Sequence, residues 1–273
     1  NKKINIDKTR TIGLSKTNVN YFNKNISNIN KILWPIKKIK IYSENSGDEE
    51  IIKFEDHDRG LFSIMKNDKI TNKLCFELKK NRFFKFKKDV GYKSLNKNGY
   101  DLLINCDLKH EITKKFFHKK FEKQYSSIAF TTVINHKKLK FNNTAFQVFT
   151  NKGPIAFLPI SSEKTSIVYS MRTKNFNTEI NVGSLIKKFN LGYEIRNIDK
   201  ISKFKLYSLN LRHYYRDNML AFGDLLHKLH PLAGQGFNMS IRDISRLLEI
   251  INNRVELGLS LDKSVCVEFQ NTT

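Results

Sequence analysis

The sequence contains little cysteine, and its cysteines are poorly spaced for a shared role. Cys75, Cys106 and Cys266 are the three cysteines of the chain, and no two of them form a C-x-x-C pair. An odd number of widely separated cysteines suits neither a disulfide framework nor a zinc site. We therefore expect reduced thiols in a cytoplasmic protein.

Long apolar runs are missing as well. No segment approaches the roughly 18 consecutive apolar residues of a membrane span. The first residues, NKKINIDKTR, lack the apolar core of a signal peptide. The sequence therefore predicts a chain that does not cross a membrane, and its start at Asn1 leads us to expect a piece of a longer protein.

Acidic residues are scarce relative to basic ones. The chain has 49 Lys and Arg against 26 Asp and Glu, a formal charge of +23, and such an excess points to nucleic acid or an acidic membrane surface. However, ten of these residues are arginine and 39 are dispersed lysines, whereas nucleic-acid readers concentrate charge and use arginine on bases. We interpret the excess as a solvated surface or a compositional bias, and expect no nucleic-acid partner. A basic binding module for nucleic acid or membrane stays open as an alternative, which a steep loss of binding with added salt would support.

The residues that are present indicate a globular chain with a sizeable core. Of the 273 residues, 40% are hydrophobic and 12% aromatic. Apolar residues recur at helical spacing over 15–31, where Ser15 is a plausible cap, over 69–81, and from Phe237 to Ile251 after Gly236.

Strand patterns occupy much of the rest. Residues 36–44 alternate like a strand, and GYDLLINCD (99–107) has the glycine turn and apolar run of a strand buried on both faces. From Tyr125 to Met171 one strand pattern follows another: SSIAFTTVI, TAFQVFT, GPIAFLPI and TSIVYSM. The sequence therefore predicts mixed α and β structure with a largely antiparallel or mixed sheet.

One segment differs from the lysine- and asparagine-rich remainder: GDLLHKLHPLAGQGFNMSIRD, from Gly223 to Asp243. Two glycines directly before a helix leave backbone amides open to close approach, which suits negative charge. The preceding AFGD is typical of a short strand that ends in an acid, and Asp224 could accept hydrogen bonds from ligand hydroxyls. A glycine-rich helix cap without a ligand is the alternative interpretation.

Two other kinds of site fit this segment less well. His227 and His230 are three residues apart, but no third metal ligand stands near and Pro231 would break their helix, so we interpret them as packing histidines. Ser240 and Ser245 lack a base at a recognisable spacing and form no nucleophile elbow. We expect neither a metal nor a side-chain nucleophile.

The segment resembles the C-terminal flavin motif of the FAD-dependent aromatic-ring hydroxylases, in the ubiquinone-biosynthesis monooxygenase branch to which 2-octaprenyl-6-methoxyphenol hydroxylase belongs. NTAFQVFTNKGPIAFLPI is similar to the family's substrate-side strands, and DKTRTIGLS to a segment whose arginine, here Arg10, lies by the flavin. The motif positions that agree are Gly223, Asp224, His227, His230, Pro231, Ala233, Gly234, Gln235, Gly236, Asn238, Arg242 and Asp243.

The chain also departs from the family. No G-x-G-x-x-G occurs, the family's G-A-D-G corresponds to Asn105–Leu108 with Asp107 kept, and Asn67-Asp68 replaces Asn-Arg. The resemblance implies a mixed α/β fold: a Rossmann-like FAD-binding domain, truncated at both ends and lacking its first βαβ unit, with an inserted mixed or antiparallel sheet. The expected cofactor domain comprises 1–35, 61–116 and 217–273, and the expected substrate domain 36–60 and 117–216.

The implied activity is a monooxygenase that uses FAD, NAD(P)H and O2 to hydroxylate a polyprenyl phenol through a C4a-hydroperoxyflavin. The implied partners are this substrate, an anionic membrane surface and other ubiquinone-biosynthesis proteins, with a cytoplasmic location at the periphery of the inner membrane. A same-fold oxidoreductase acting on a soluble aromatic compound is the alternative. The expected cofactor-binding residues are Arg10, Asp107, Gly223, Asp224, Pro231, Gly234, Gln235, Gly236, Phe237 and Asn238, and the chain 1–273 alone is expected to bind FAD poorly and to be inactive.

Overall fold

The structure, a computed structural model, describes residues 9–46, 49–58, 60–88, 90–96, 99–173, 175, 177, 180–228 and 235–273. The strands are β1 (Thr11–Leu14), β2 (Trp34–Ile36), β3 (Lys38–Ser43), β4 (Glu50–Glu55), β5 (Phe62–Lys66), β6 (Leu103–Asn105), β7 (Lys120–His136), β8 (Thr144–Thr150), β9 (Gly153–Pro159), β10 (Lys164–Arg172), β11 (Ile195–Ile198), β12 (Ser202–Leu211), β13 (Tyr215–Arg216), β14 (Met219–Ala221) and β15 (His227–Lys228). The helices are α1 (Lys16–Asn25), α2 (Asn67–Lys80), α3 (Tyr92–Asn96), α4 (Glu111–Phe116), α5 (Val182–Lys188), α6 (Gln235–Glu256) and α7 (Lys263–Thr272).

The chain divides into two compact units. The first comprises Asn1–Asn81 and Tyr125–Leu206, and the second Arg82–Gln124 and Tyr207–Thr273. Each unit is therefore built from two separate stretches of the chain. The expected division into a cofactor domain and a substrate domain stays a prediction, since these units are defined by contacts and not by ligands.

A large sheet dominates the first unit, as the run of strand patterns predicted. Strands β7, β10, β9 and β8 pair antiparallel in that order, β3 joins β8 in parallel, and β4 joins β3 antiparallel. One face buries alternate residues such as Phe146, Phe157 and Tyr169 together with Val182 and Ile186 of α5. The prediction of a mixed, largely antiparallel sheet is confirmed.

Helix α1 confirms one prediction and corrects another. The Ser15 side chain caps it by accepting a hydrogen bond from the Asn18 amide. The helix ends at Asn25, however, and does not continue to residue 31. The reason is local competition by asparagine side chains: Asn23 accepts from the Ile29 amide (2.9 Å) and donates to the side chain of Asn30 (2.7 Å), which holds the chain in a turn.

Strand β6 shows why an apolar run alone is ambiguous. We predicted that GYDLLINCD forms a strand buried on both faces, but only Leu103–Asn105 is strand and Ile104 is 45% exposed. The prediction was right about the strand and wrong about its burial. The run is interrupted by polar residues on both sides, so it supplies too few apolar side chains to fill two faces.

Helix α6 is the longest helix of the second unit and begins one residue before Gly236, as expected. Its buried positions are Ile241, Asp243, Leu247 and Ile250, while Leu248 of the predicted apolar stripe is 41% exposed. Leu247 and Ile250 pack with Val265 and Phe269 of α7. No helix among the described residues is long and apolar enough to cross a membrane.

Candidate cofactor-binding site

A pair of parallel strands forms the base of the candidate site in the second unit. Strands β6 and β14 pair with Leu103 opposite Met219 and Asn105 opposite Ala221, and the Phe222 amide donates to the Asn105 carbonyl (2.9 Å). The resemblance predicts that GYDLLINCD (99–107) and LAFGD (220–224) lie close together, and the pairing of β6 with β14 confirms this. Because the carboxyl ends of parallel strands share one edge of a sheet, Asp107 and Asp224 both follow strands at the same edge.

The turn after β6 is held by a buried side-chain network. The Asn105 amide group donates to the Thr113 hydroxyl (2.8 Å), which in turn donates to the Asp107 carbonyl (2.5 Å). The carboxylate of Asp107 is exposed and accepts from the Lys109 amide (2.7 Å). Asn105, one of the two residues that replace family glycines, therefore acts here as a hydrogen-bonding anchor of the turn.

The turn after β14 presents a second acid. Gly223 has φ +63°, a left-handed conformation that favours glycine, and it opens a single 3-10 turn, Gly223–Leu225. Leu225 and Leu226 are buried and anchor this turn, whereas Asp224 is exposed. Within the described part of the chain, the Asp224 carboxylate has no hydrogen-bond or ion-pair partner. It is available to a ligand hydroxyl.

The start of α6 supplies amide donors. Gln235 to Asn238 form its first turn, and backbone N–H groups at a helix start, as at Gln235, Gly236 and Phe237, lack intrahelical acceptors. A Cβ placed on Gly236 would meet no described atom within 4 Å. The Gln235 side chain is exposed, and Phe237 and Asn238 are half-buried. The amide-rich helix start is thus open to an anionic group.

Of the expected site residues, two lie outside the described residues and one belongs to the first unit. Pro231 and Gly234 lie outside the described residues, as do His230 and Ala233 of the motif. Arg10 lies in the first unit, where its carbonyl accepts from the Asn67 amide (3.0 Å) and its guanidinium stands 5.5 Å from the centre of the Phe204 ring. Its role beside a flavin stays a prediction.

Sequence reasoning missed one pair within the motif. The Nε2 atom of His227 lies 2.8 Å from Oδ2 of Asp243, and both side chains are buried. His227 was expected to pack, whereas Asp243 was considered only as a match to the motif. The available signal was spacing: Asp243 shares a helical stripe with Leu247 and Ile250, and an acid on an apolar stripe needs a buried partner.

At this site, the described residues do not bring together side chains suited to nucleophilic or metal chemistry. Desolvation raises the pKa of the Cys106 thiol, which keeps it protonated near neutral pH beside Asp107. Among the residues that the structure describes, no group of three or more His, Cys, Asp or Glu side chains is arranged to hold a metal ion. The arrangement can donate amides and accept hydroxyls, so it is suited to binding.

Comparison with known proteins agrees with this geometry. A family model described as an FAD binding domain matches residues 119–255, half of the chain, which include Gly223 and the start of α6. Ubiquinone biosynthesis monooxygenase COQ6 of Rattus norvegicus, a mitochondrial protein, is 28% identical over 50% of this chain and 37% of its own length. 3-Demethoxyubiquinol 3-hydroxylase of Escherichia coli is 30% identical over 42% of this chain and 31% of its own length.

The matched stretch thus spans only about a third of the length of these curated relatives. A crystal structure of PqsL, a probable FAD-dependent monooxygenase from Pseudomonas aeruginosa, matches with a TM-score of 0.73 at 13% identity and covers 98% of this chain and 82% of PqsL. Identity this low supports the fold alone. The mixed α/β fold of such monooxygenases is therefore confirmed over nearly the whole chain.

Proposed function

Because the chain belongs to the family of FAD-binding domains, we propose that it is part of a flavin-dependent monooxygenase that hydroxylates the aromatic ring of a polyprenyl phenol in ubiquinone biosynthesis. One observation carries the proposal: parallel strands β6 and β14 end together, and each leads into an exposed acid, Asp107 or Asp224. In this proposal the second unit belongs to a Rossmann-like cofactor domain, and the large sheet belongs to a substrate domain.

The residues at this edge fit a flavin. Asp224 has an exposed carboxylate without a partner among the described residues, which suits the hydroxyls of a ribityl chain. Gly236 leaves space that a side chain would fill, next to the amides of the first turn of α6. A reduced flavin carries negative charge near N1 and the C2 carbonyl, and amides at a helix start stabilise such charge.

Each residue then has a binding role. Asp224 accepts hydrogen bonds from hydroxyls, while the amides of Gly236 and Phe237 donate to the anionic edge of the ring. Asp107, Gly223, Gln235 and Asn238 complete the polar lining. Pro231, Gly234 and Arg10 are further candidates that rest on the resemblance alone.

When bound, FAD reduced by NAD(P)H would supply the activation of dioxygen and the transfer of oxygen to the ring. The chain's own contribution is orientation and the exclusion of water, for which no side-chain nucleophile is required. The mixed sheet of the first unit would carry the substrate. A peripheral position at an anionic membrane, near other ubiquinone-biosynthesis proteins, would bring the protein to a lipid-soluble phenol.

The experiment starts from the protein purified together with any residues that its gene encodes before Asn1. We expect a yellow protein with oxidised-flavin absorbance, oxidation of NAD(P)H stimulated by a polyprenyl phenol, and a product heavier by one oxygen atom in mass spectrometry. A water-soluble phenol without the polyprenyl chain serves as the matched substrate. Preference for the soluble phenol would indicate that the substrate is a soluble aromatic compound. A protein that stays colourless with excess FAD would refute the proposal of a flavin-dependent monooxygenase.

A further inference from the structure

A basic cavity lies in the second unit, and the described residues of the Gly223 motif do not line it. It has a volume of about 580 Å³, within the size range of small-molecule pockets. Its walls come from α4 and the residues after it, from the β13–β14 hairpin, and from α7. The Gln270 side chain of α7 accepts from the Tyr214 amide (2.8 Å) and fastens that helix to the hairpin strand. The cavity is therefore built by three connected elements.

Positive charge dominates this cavity. Lys115, Lys119, Lys263 and Arg216 line it together with His118 and His213. Within the described residues, none of the three lysines has an acidic partner, whereas lysines elsewhere do, as in Lys73 with Glu77 at 2.8 Å. Unneutralised cations around one concave space repel each other, and a bound anion would relieve that repulsion.

Among the described residues that line the cavity, Asp217 is the one acid, and its backbone is unusual. Asp217 stands 3.6 Å from the guanidinium of Arg216 in an exposed contact. Asp217 also has φ +54°, a left-handed conformation uncommon outside glycine, in the two-residue turn between β13 and β14. A two-residue hairpin turn requires positive φ, so this backbone closes the β13–β14 hairpin that carries Arg216 at the cavity wall.

Aromatic side chains supply the apolar part of the wall. Phe116 and Tyr215 both line the cavity and are half-buried. Phe116 packs edge-on against Tyr92 with ring centres 5.3 Å apart, and the Lys115 ammonium lies over both rings, at 4.8 and 5.1 Å from their centres. Cations beside aromatic walls combine recognition of a phosphate with recognition of a flat ring.

We propose that this cavity binds a phosphate monoester carried by a small aromatic molecule, such as a nucleotide. Concavity favours a small ligand over a lipid bilayer, because a small molecule can contact all three elements that line the cavity. The proposal is independent of the flavin proposal, since it involves other residues and its test needs no flavin. Inorganic phosphate, AMP and phosphatidic acid share the phosphate chemistry and differ in what carries it.

The test measures binding by isothermal titration calorimetry at low ionic strength with inorganic phosphate, adenosine and AMP, and by sedimentation with phosphatidylcholine vesicles that contain phosphatidic acid. We expect saturable binding whose affinity decreases from AMP to phosphate to adenosine. Added salt should weaken the binding of AMP. Binding to the vesicles without saturable binding of AMP would overturn the proposal and identify a lipid-contacting surface instead.

Variants distinguish AMP binding in the cavity from AMP binding to positive charge elsewhere on the protein. Lys119→Gln and Lys263→Gln should each weaken AMP binding roughly three- to five-fold, the range of exposed ion pairs. Asp217→Asn should strengthen it, because it removes the competing carboxylate and keeps a residue that tolerates positive φ. Lys114→Gln is the matched control, an exposed lysine of α4 outside the cavity, and should change little. An equal loss in Lys114→Gln and Lys119→Gln would overturn the proposal.

Discussion

The Nε2 atom of His227 lies 2.8 Å from Oδ2 of Asp243, and each of these side chains is only 7% exposed. This contact joins β15, directly after the Gly223 turn, to the third turn of α6. It therefore fixes the helix that starts at Gln235 against the strand that precedes it. The contact supports the candidate site structurally. Its role differs from that of the Asp224 carboxylate, which is exposed, because the two side chains of the pair are buried and bonded to each other.

A double-mutant cycle on this pair should reveal strong coupling. His227→Leu or Asp243→Leu alone leaves the other polar group buried without its partner, so each should lower the free energy of unfolding by about 2–5 kcal/mol. The double variant should be more stable than the sum of the two losses predicts. Urea unfolding measures all four proteins, and strict additivity would contradict the coupling.

Replacement of Gly236 by alanine should separate folding from flavin binding. A Cβ at this helical position meets no described atom within 4 Å, and alanine is the better helix former by up to about 1 kcal/mol. Gly236→Ala should therefore unfold at the same or higher urea concentration. The same methyl group would obstruct a flavin at the helix start, so FAD occupancy should fall, and further in Gly236→Val. Unchanged occupancy in both variants would remove Gly236 from the site.

Gly223 should respond in the opposite way. A Cβ there also meets no described atom within 4 Å, but φ is +63°. Gly223→Ala should therefore cost about 1–2 kcal/mol of unfolding free energy from backbone strain alone. Gly223→Asn is the control. Because asparagine tolerates this conformation better, this variant should lose less unfolding free energy than Gly223→Ala. Equal losses in the two variants would indicate that strain is not the cause.

Much of the fold could be predicted from the sequence, because its strands and helices carry clear periods. The strand TAFQVFT coincides with β8, and the Ser15 cap was identified from residue type alone. Two details failed: the exposure of Ile104 depends on which elements cover β6, and the end of α1 at Asn25 depends on local hydrogen bonds of the Asn23 side chain. At the candidate site, the adjacency of β6 and β14 was expected from the resemblance. The place of Asp243 on an apolar stripe indicates that it needs a buried partner, but the identity of that partner, His227, depends on tertiary packing.

The buried network after β6 should depend on one hydroxyl. Thr113 accepts from Asn105 and donates to the Asp107 carbonyl. Thr113→Val keeps the shape and loses both hydrogen bonds, which should cost about 1–3 kcal/mol because Asn105 is left buried and unsatisfied. Thr113→Ser retains the hydroxyl and should lose less unfolding free energy than Thr113→Val. Urea unfolding distinguishes them, and a fully stable Thr113→Val protein would show that the Asn105 turn does not need this network.

The sharpest prediction concerns Asp224. Its carboxylate is exposed and has no partner among the described residues, so Asp224→Ala should leave the free energy of unfolding nearly unchanged. If the carboxylate accepts a ribityl hydroxyl, the same change should weaken FAD binding by about 1–3 kcal/mol. Asp101→Ala is the matched control, an exposed acid before β6, at the opposite end of the same strand pair. FAD titration followed by flavin fluorescence, with the protein purified to include any residues encoded before Asn1, compares the two variants. Weakening confined to Asp224→Ala supports a site at the carboxyl ends of β6 and β14, whereas equal FAD affinity in both variants would leave Asp224 as an exposed turn residue without a ligand.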